Sequence, residues 1–547
     1  MEKKNLGLAV AEWIILLILA VVLVWVAIAV KKQSQEASDV AATGSSGQEV
    51  GNAAESNSKE QDTGSAIDMG NSKLVLYEGP KTLQDATDAD LKTANEQSRD
   101  FTLKHCVDTK VMVDGYDCYV YDTNINHNRQ WFGDYLPSQS RTPVAYFDFE
   151  GAAEITVTVP NIDLQSVKIS PLSDGIEPVI DAESHTVSFT ITKADNYTLQ
   201  FNDSPSRALH IFANPLEVNP PHKGDPDVVY IGPGEWNIDA IMLTDNQTLY
   251  LAGGAVVHGV VQSNYGKNIK VMGRGILDGS TFKGWAGKTA IIPLKFDNCD
   301  NVEIHDIIVL NPNAWVCQAN TSTNGLLDGL RIISSRPNGD GISLQSCENY
   351  TVQNCFVRSW DDSLVVKNYT GDTKNITFKD NQLWTDLAQS MEVGYETNKG
   401  KKENAVISGI TFENITVINN FHKPVISVHN ADDATISDVT YKNITVENAQ
   451  MGSGDADQMP YLIDINIAKD SNWSSTKDRG QIKNVLIDGV NVLSGRFNAS
   501  RIHGFDAEHM VDGVTIKNLT ILGEKITSFE QGKFDIDTAT TKNLVIE

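Results

Sequence analysis

The chain has no CxxC pair, no His/Cys cluster at metal-ligand spacing and no basic patch, and each absence removes a class of function. Without that spacing its six cysteines do not read as a zinc site. Cys299, Cys317, Cys347 and Cys355 are expected as buried structural thiols. Cys106 and Cys118 flank "VDTKVMVDGYD", a plausible hairpin, and can close a disulfide in an oxidising compartment. No metal and no cofactor are expected. A formal net charge of −27 argues against nucleic acid and makes an anionic polymer a poor partner. The one Lys-rich run, "NKGKKEN" at 398–404, reads as a solvated loop.

Long apolar runs are equally scarce. One stretch, Trp13 to Val30, is 18 residues of unbroken apolar character behind a basic start. It is just long enough to span a bilayer as a transmembrane helix, although "AIA" at 27–29 would also suit signal cleavage. Residues 1–32 are therefore expected to anchor the chain at the cell surface or direct its secretion. Residues 33–73 hold almost no large apolar side chain and read as a disordered tether.

Helical periodicity is missing from the remainder. Residues 74–212 carry short alternating runs such as "DCYVYDT", "VAYFDFEG" and "AEITVTVP", the pattern of an antiparallel β-sandwich. From 213 to 547 the chain repeats a unit of apolar-x-apolar, a turn with Asn or Gly, then apolar-x-apolar. Aligned first apolar positions are Ile269, Val302, Leu330, Tyr350, Ile376, Ile410, Val439, Val485 and Val514. A recurring β unit of this kind predicts an all-β fold dominated by a right-handed parallel β-helix.

Against that background "RPNGDGISLQ" and "RSWDDSLVVK" stand out, because Asp is disfavoured inside strands. Coils of a solenoid stack about 4.8 Å apart, so Asp340 and Asp361, 21 residues apart, are expected on neighbouring coils. Asp362 joins them where a strand ends. Three carboxylates this close raise one another's pKa, which suits acid and base catalysis better than a calcium site.

The Asn-x-Asp-Gly of Asn338 and Asp340, followed by the Asp361–Asp362 pair on a repeating β coil, resembles the polygalacturonase-like glycoside hydrolases of family 28. It is also similar to family 49, the dextranases and isopullulanases. The resemblance implies inverting hydrolysis of a polysaccharide or oligosaccharide; the protein is expected to act as a monomer. Asp361 would be the general acid, with Asp340 and Asp362 handling water across a gap of about 6.5–9.5 Å. Two family motifs are absent. Gln389 stands where Gly-His-Gly has its His, and "KPVISVHN" replaces the Arg-Ile-Lys that holds a uronate. A neutral α-glucan is therefore favoured over pectin. Substrate contacts are expected at Asn338, Lys367, Trp384, Gln389, Glu392, Tyr395 and His429, with Trp315, Trp360 and Tyr369 as lesser aromatic candidates. The alternatives are a polysaccharide lyase, disfavoured by the carboxylates, and a non-catalytic glycan-binding adhesin.

Overall fold

The computed structural model describes residues 65–68, 73–84, 91–92, 99–100, 102–126, 140–282, 291–450, 460–469 and 471–547. The apolar N-terminal run, with its reading as an anchor or signal, lies outside these residues. Among the described residues no helix is long and apolar enough to cross a membrane. Most of the 33–73 tether also lies outside them, but Ser65–Asp68 does not behave as a tether: it pairs antiparallel with Lys73–Leu76. Pairing at a sheet edge needs only backbone groups, which a polar composition does not forbid.

Two sheets face each other up to Pro215. One includes Lys73–Leu76, Ser140–Glu150, Ala208–Pro215, Asp195–Phe201 and Val167–Ser170, and the other Thr186–Ile191, Ala153–Thr158 and Lys110–Val113. Alternation along Ser140–Glu150 explains the layering. Ala145, Phe147 and Phe149 point into the core between the sheets, while Val144 and Tyr146 point the other way, toward the coil. One pair departs from the antiparallel expectation: Ala208–Pro215 runs parallel to Ser140–Glu150, with His210 opposite Val144. The expected hairpin forms, Val111 opposite Cys118, but Cys106 and Cys118 are both free and buried, and no bridge joins them.

Among the described residues from Val228 onward, a single sheet of 29 strands winds as a parallel coil of three ladders, to which Glu524–Ile526 adds antiparallel. The apolar positions aligned in sequence stack in register: Ile269 on Val302, Tyr350 on Ile376, Ile376 on Ile410, then Val439, Val485 and Val514. Leu330 is the exception. The residue below Tyr350 is Gly325, where a Cβ would lie 2.0 Å from the Tyr350 ring, so the aromatic fills the volume that the repeat otherwise gives to an aliphatic side chain. Phe378, Phe412 and Tyr441 stack with centroids 4.8 Å apart, one coil spacing. At the turns Asn268, Asn301, Asn349 and Asn375 adopt positive φ, which Asn tolerates better than most residues. Their amides bond one another along the axis, for example Asn375 to Asn349 at 3.0 Å. Cys299, Cys317, Cys347 and Cys355 are free and buried in the coil core, as expected.

Candidate active site

The third ladder carries the unusual carboxylates. Ile342–Gln345, Leu364–Asn368, Met391–Thr397 and Ile426–Asn430 lie side by side, with Ile342, Leu364, Met391 and Ile426 in one inward row. Residues alternating with these point outward. Asp340 and Gln389 precede their strands by two residues, and so does Asp362. The amide of Gly341 donates to the Asp362 carbonyl at 2.8 Å and that of Ser363 to the Gln389 carbonyl at 2.9 Å. Asp340 therefore stacks beside Asp362, a step of 362 − 340 = 22 residues, and not beside Asp361.

Asp361 and Asp362 occupy the turn between Phe356–Ser359 and Leu364–Asn368. This is the strand end that lets consecutive residues serve one site. The Asp361 carboxylate accepts the amides of Asn338 at 3.2 Å and Asp362 at 3.1 Å. The Asp362 carboxylate accepts the Gln389 amide at 3.0 Å, so Asn338 and Gln389 hold the carboxylates through backbone groups. Lys367 Nζ lies 3.0 Å from Glu396 and 4.0 Å from Asp340. Tyr369 donates to Glu396 at 3.1 Å, and Lys399 sits over the Tyr369 ring at 4.2 Å. The "NKGKKEN" run is thus not wholly a solvated loop.

Burial, reinforced by the charge of Asp361, holds Asp340 well above the carboxylate range, with Lys367 opposing. Burial and the charges of Asp361 and Glu392 push Asp362 up to about 7, against Lys367 and the Gln389 amide. Burial works against the charge on Lys367, yet Glu396 and Asp340 outweigh it and raise that ammonium above its ordinary range.

Glu392 and His429, expected at the substrate, are fully buried and bonded to each other at 2.9 Å. His429 Nε2 bonds Asp464 at 3.0 Å, and Arg501 grips Asp464 with two bonds of 2.8 and 2.7 Å. Ser427 donates to Glu392. Burial opposes protonation of His429, but Glu392 and Asp464 raise it to about 9. Burial also opposes the Asp464 charge, but His429 and Arg501 hold it at about 2. Tyr395 covers His429, ring centroids 4.1 Å apart.

Trp384 and Trp360 are not sugar platforms. Both are fully buried between coil and sandwich. Trp384 is covered by Arg358 at 4.1 Å and donates to Asp386 at 2.8 Å, which leaves no face for a pyranose. Trp315 and Tyr369 keep partial exposure. The amide that follows Trp315, that of Val316, donates to the Asp340 carbonyl at 3.0 Å, so Trp315 flanks the carboxylates. Glu396, Lys399, Asp464 and Arg501 are not evident from the sequence motifs. Reading outward positions coil by coil would find Asp464 and Arg501, because they share a row with Glu392 and Ser427.

A parallel coil bearing three clustered carboxylates at a strand end defines a β-helical protein of the carbohydrate-active kind. The profile of the glycosyl hydrolases family 28 matches residues 245–535, more than half of the chain, and the protein belongs to that family. A probable polygalacturonase of Vitis vinifera is 26% identical over 130 residues, 22% of this chain and 25% of that protein. A polygalacturonase of Chamaecyparis obtusa is 24% identical over 128 residues, 21% and 24% of the two chains. The matched stretch thus spans about a quarter of these curated relatives. Among solved structures, Dex49A from Penicillium minioluteum has a similar fold: TM-score 0.60, 15% identity, covering 89% of this chain and 100% of that one.

Proposed function

We propose that the protein hydrolyses a polysaccharide with inversion, by acid and base catalysis at Asp340, Asp361 and Asp362, and that its substrate is a neutral, dextran-like α-glucan. The observation that carries this reading is the meeting of the three carboxylates at two adjacent strand ends, with Asp362 titrating at about 7. A group of that pKa exchanges protons efficiently near neutral pH. Asp361 protonates the glycosidic oxygen, while Asp340 and Asp362 orient and deprotonate water on the other face of the sugar. Trp315, part-exposed beside them, offers a stacking surface.

The preference for a neutral sugar rests on the stretch that replaces the uronate clamp. Its outward residues are Ser427 and His429, and both ring nitrogens of His429 are already engaged by carboxylates. A buried uronate would need a cation of its own. Pectin is the second reading, favoured by the names of the curated relatives. The apolar segment Trp13 to Val30 supports action outside the cytoplasm, cell-anchored or released.

Reducing-end release from dextran, other α-glucans and polygalacturonate tests the substrate, and proton NMR of the first product tests the stereochemistry. The expected result is release from a neutral α-glucan with the opposite anomer formed first. Retained configuration would overturn the assignment of roles, and release from polygalacturonate alone would overturn the neutral substrate.

A further inference from the structure

We propose that Lys367 and Glu396 act as a positioning pair that fixes the charge on Asp340, and through it the pH range in which the site can activate water. The inference rests on the hydrolase reading above. Lys367 lies on Leu364–Asn368, the strand after the Asp361–Asp362 turn. Its ammonium is 3.0 Å from Glu396, on the next coil, and 4.0 Å from Asp340, on the preceding one. One cation is therefore shared between two carboxylates on opposite sides.

Asp340 faces Asp361, Asp362, Glu396 and Lys367. Asp362 faces Asp361, Glu392 and Lys367. Lys367 faces Glu396, Asp340, Asp362 and the Tyr369 hydroxyl, and Glu396 faces Lys367 and Lys399. Within this set Lys367 draws Asp340 toward its charged form. Glu396 does the reverse twice over, by its own charge and by holding Lys367 back. Tyr369, bonded to Glu396 at 3.1 Å, fixes that competing carboxylate in place. A shared cation predicts opposite effects for the two substitutions, which packing alone would not produce.

The test is the pH dependence of kcat/KM for the full chain and for Lys367→Met, Lys367→Arg and Glu396→Gln, on the glycan the wild type cleaves best, with thermal unfolding measured alongside. Lys367→Met removes the favourable charge, and the acid limb should move up by about one pH unit or more. Glu396→Gln should move it down, and Lys367→Arg should keep it near the wild type. Limbs that stay in place while KM rises would make Lys367 a plain substrate contact and overturn the pair. Limbs moving in the same direction would overturn it as well. A wild type that cleaves no glycan fails the hydrolase reading instead. The pair is then judged by carboxyl ¹³C titration of Asp340, whose midpoint must rise in Lys367→Met and fall in Glu396→Gln.

Discussion

A carboxyl group that titrates at about 7 in the folded chain, as Asp362 does, and near 3.9 in the unfolded one opposes folding at alkaline pH. Between those two values the folded state binds more protons, so stability falls as pH rises. Asp362→Asn removes the penalty. It should raise the melting temperature at about pH 8, and the gain should vanish below about pH 4; scanning calorimetry across that range checks it, and a variant that melts lower at both ends would contradict the assignment. A residue of this kind is legible in the sequence because Asp is out of place in a strand pattern. Trp384 is not. The repeat period identifies the coil to which it belongs, but not which of three ladders it sits on, and its ladder is the one the sandwich covers. Glu392 stands out in the sequence for the right reason, a charge in an apolar run, yet its partners His429 and Ser427 bury it completely.

At the scale of the strand, Met391–Thr397 delivers both Glu392 and Glu396 to the site, and Gly394 shapes it. Gly394 has φ of +124°, and a Cβ there would fall 1.8 Å from the His429 carbonyl oxygen. Gly394→Ala should therefore cost about 3 kcal/mol or more and lower turnover per folded molecule, because the strand must shift away from Ile426–Asn430. The aromatic column behaves differently. Phe412→Ala, between Phe378 and Tyr441, should cost about 3–5 kcal/mol in denaturant unfolding and leave turnover per folded molecule unchanged. Most of the stacked rows are readable from alternation and the β period. Variable coil length accounts for the two places where that reading slips: the repeat aligns Leu330 where Gly325 stands, and it matches Asp340 with Asp361 when its neighbour is Asp362. Spacing alone leaves such shifts open, since a turn can absorb extra residues without disturbing the strands on either side.

Across the whole described unit, the sandwich packs against the outside of one coil ladder through an apolar cluster separate from the coil's core. Tyr146 and Phe212 pack with Phe356, Trp360 and Trp384. The fully buried Arg358 pairs with Asp386 at 3.2 Å and reaches His210 at 3.2 Å. Aromatic residues bury about 150–250 Å² each, so removing the sandwich would bare more apolar surface than a stable monomer usually shows, a few hundred Å². The coil expressed from residue 226 alone should aggregate, as size-exclusion chromatography would report; a monodisperse, cooperatively melting coil would contradict this. That the sandwich covers a coil ladder is not readable from its generic strand pattern. Hydrolysis by carboxylates alone should also survive excess chelator, and loss of activity restored by calcium would favour the lyase alternative.

The central claim is that Asp340, Asp361 and Asp362 are gathered for chemistry, and Asp361→Asn tests it most directly. Asn keeps the shape but has one acceptor oxygen, so it retains only one of the two amides, those of Asn338 and Asp362, that the Asp361 carboxylate accepts on separate oxygens, and it cannot give up a proton. Turnover on the substrate identified by the glycan panel should fall by about 10²- to 10⁴-fold, while the melting temperature changes little, because relief of carboxylate repulsion offsets the amide bond that is lost. A variant that melts lower and retains full turnover per folded molecule would show that the aspartates serve the turn and not the reaction.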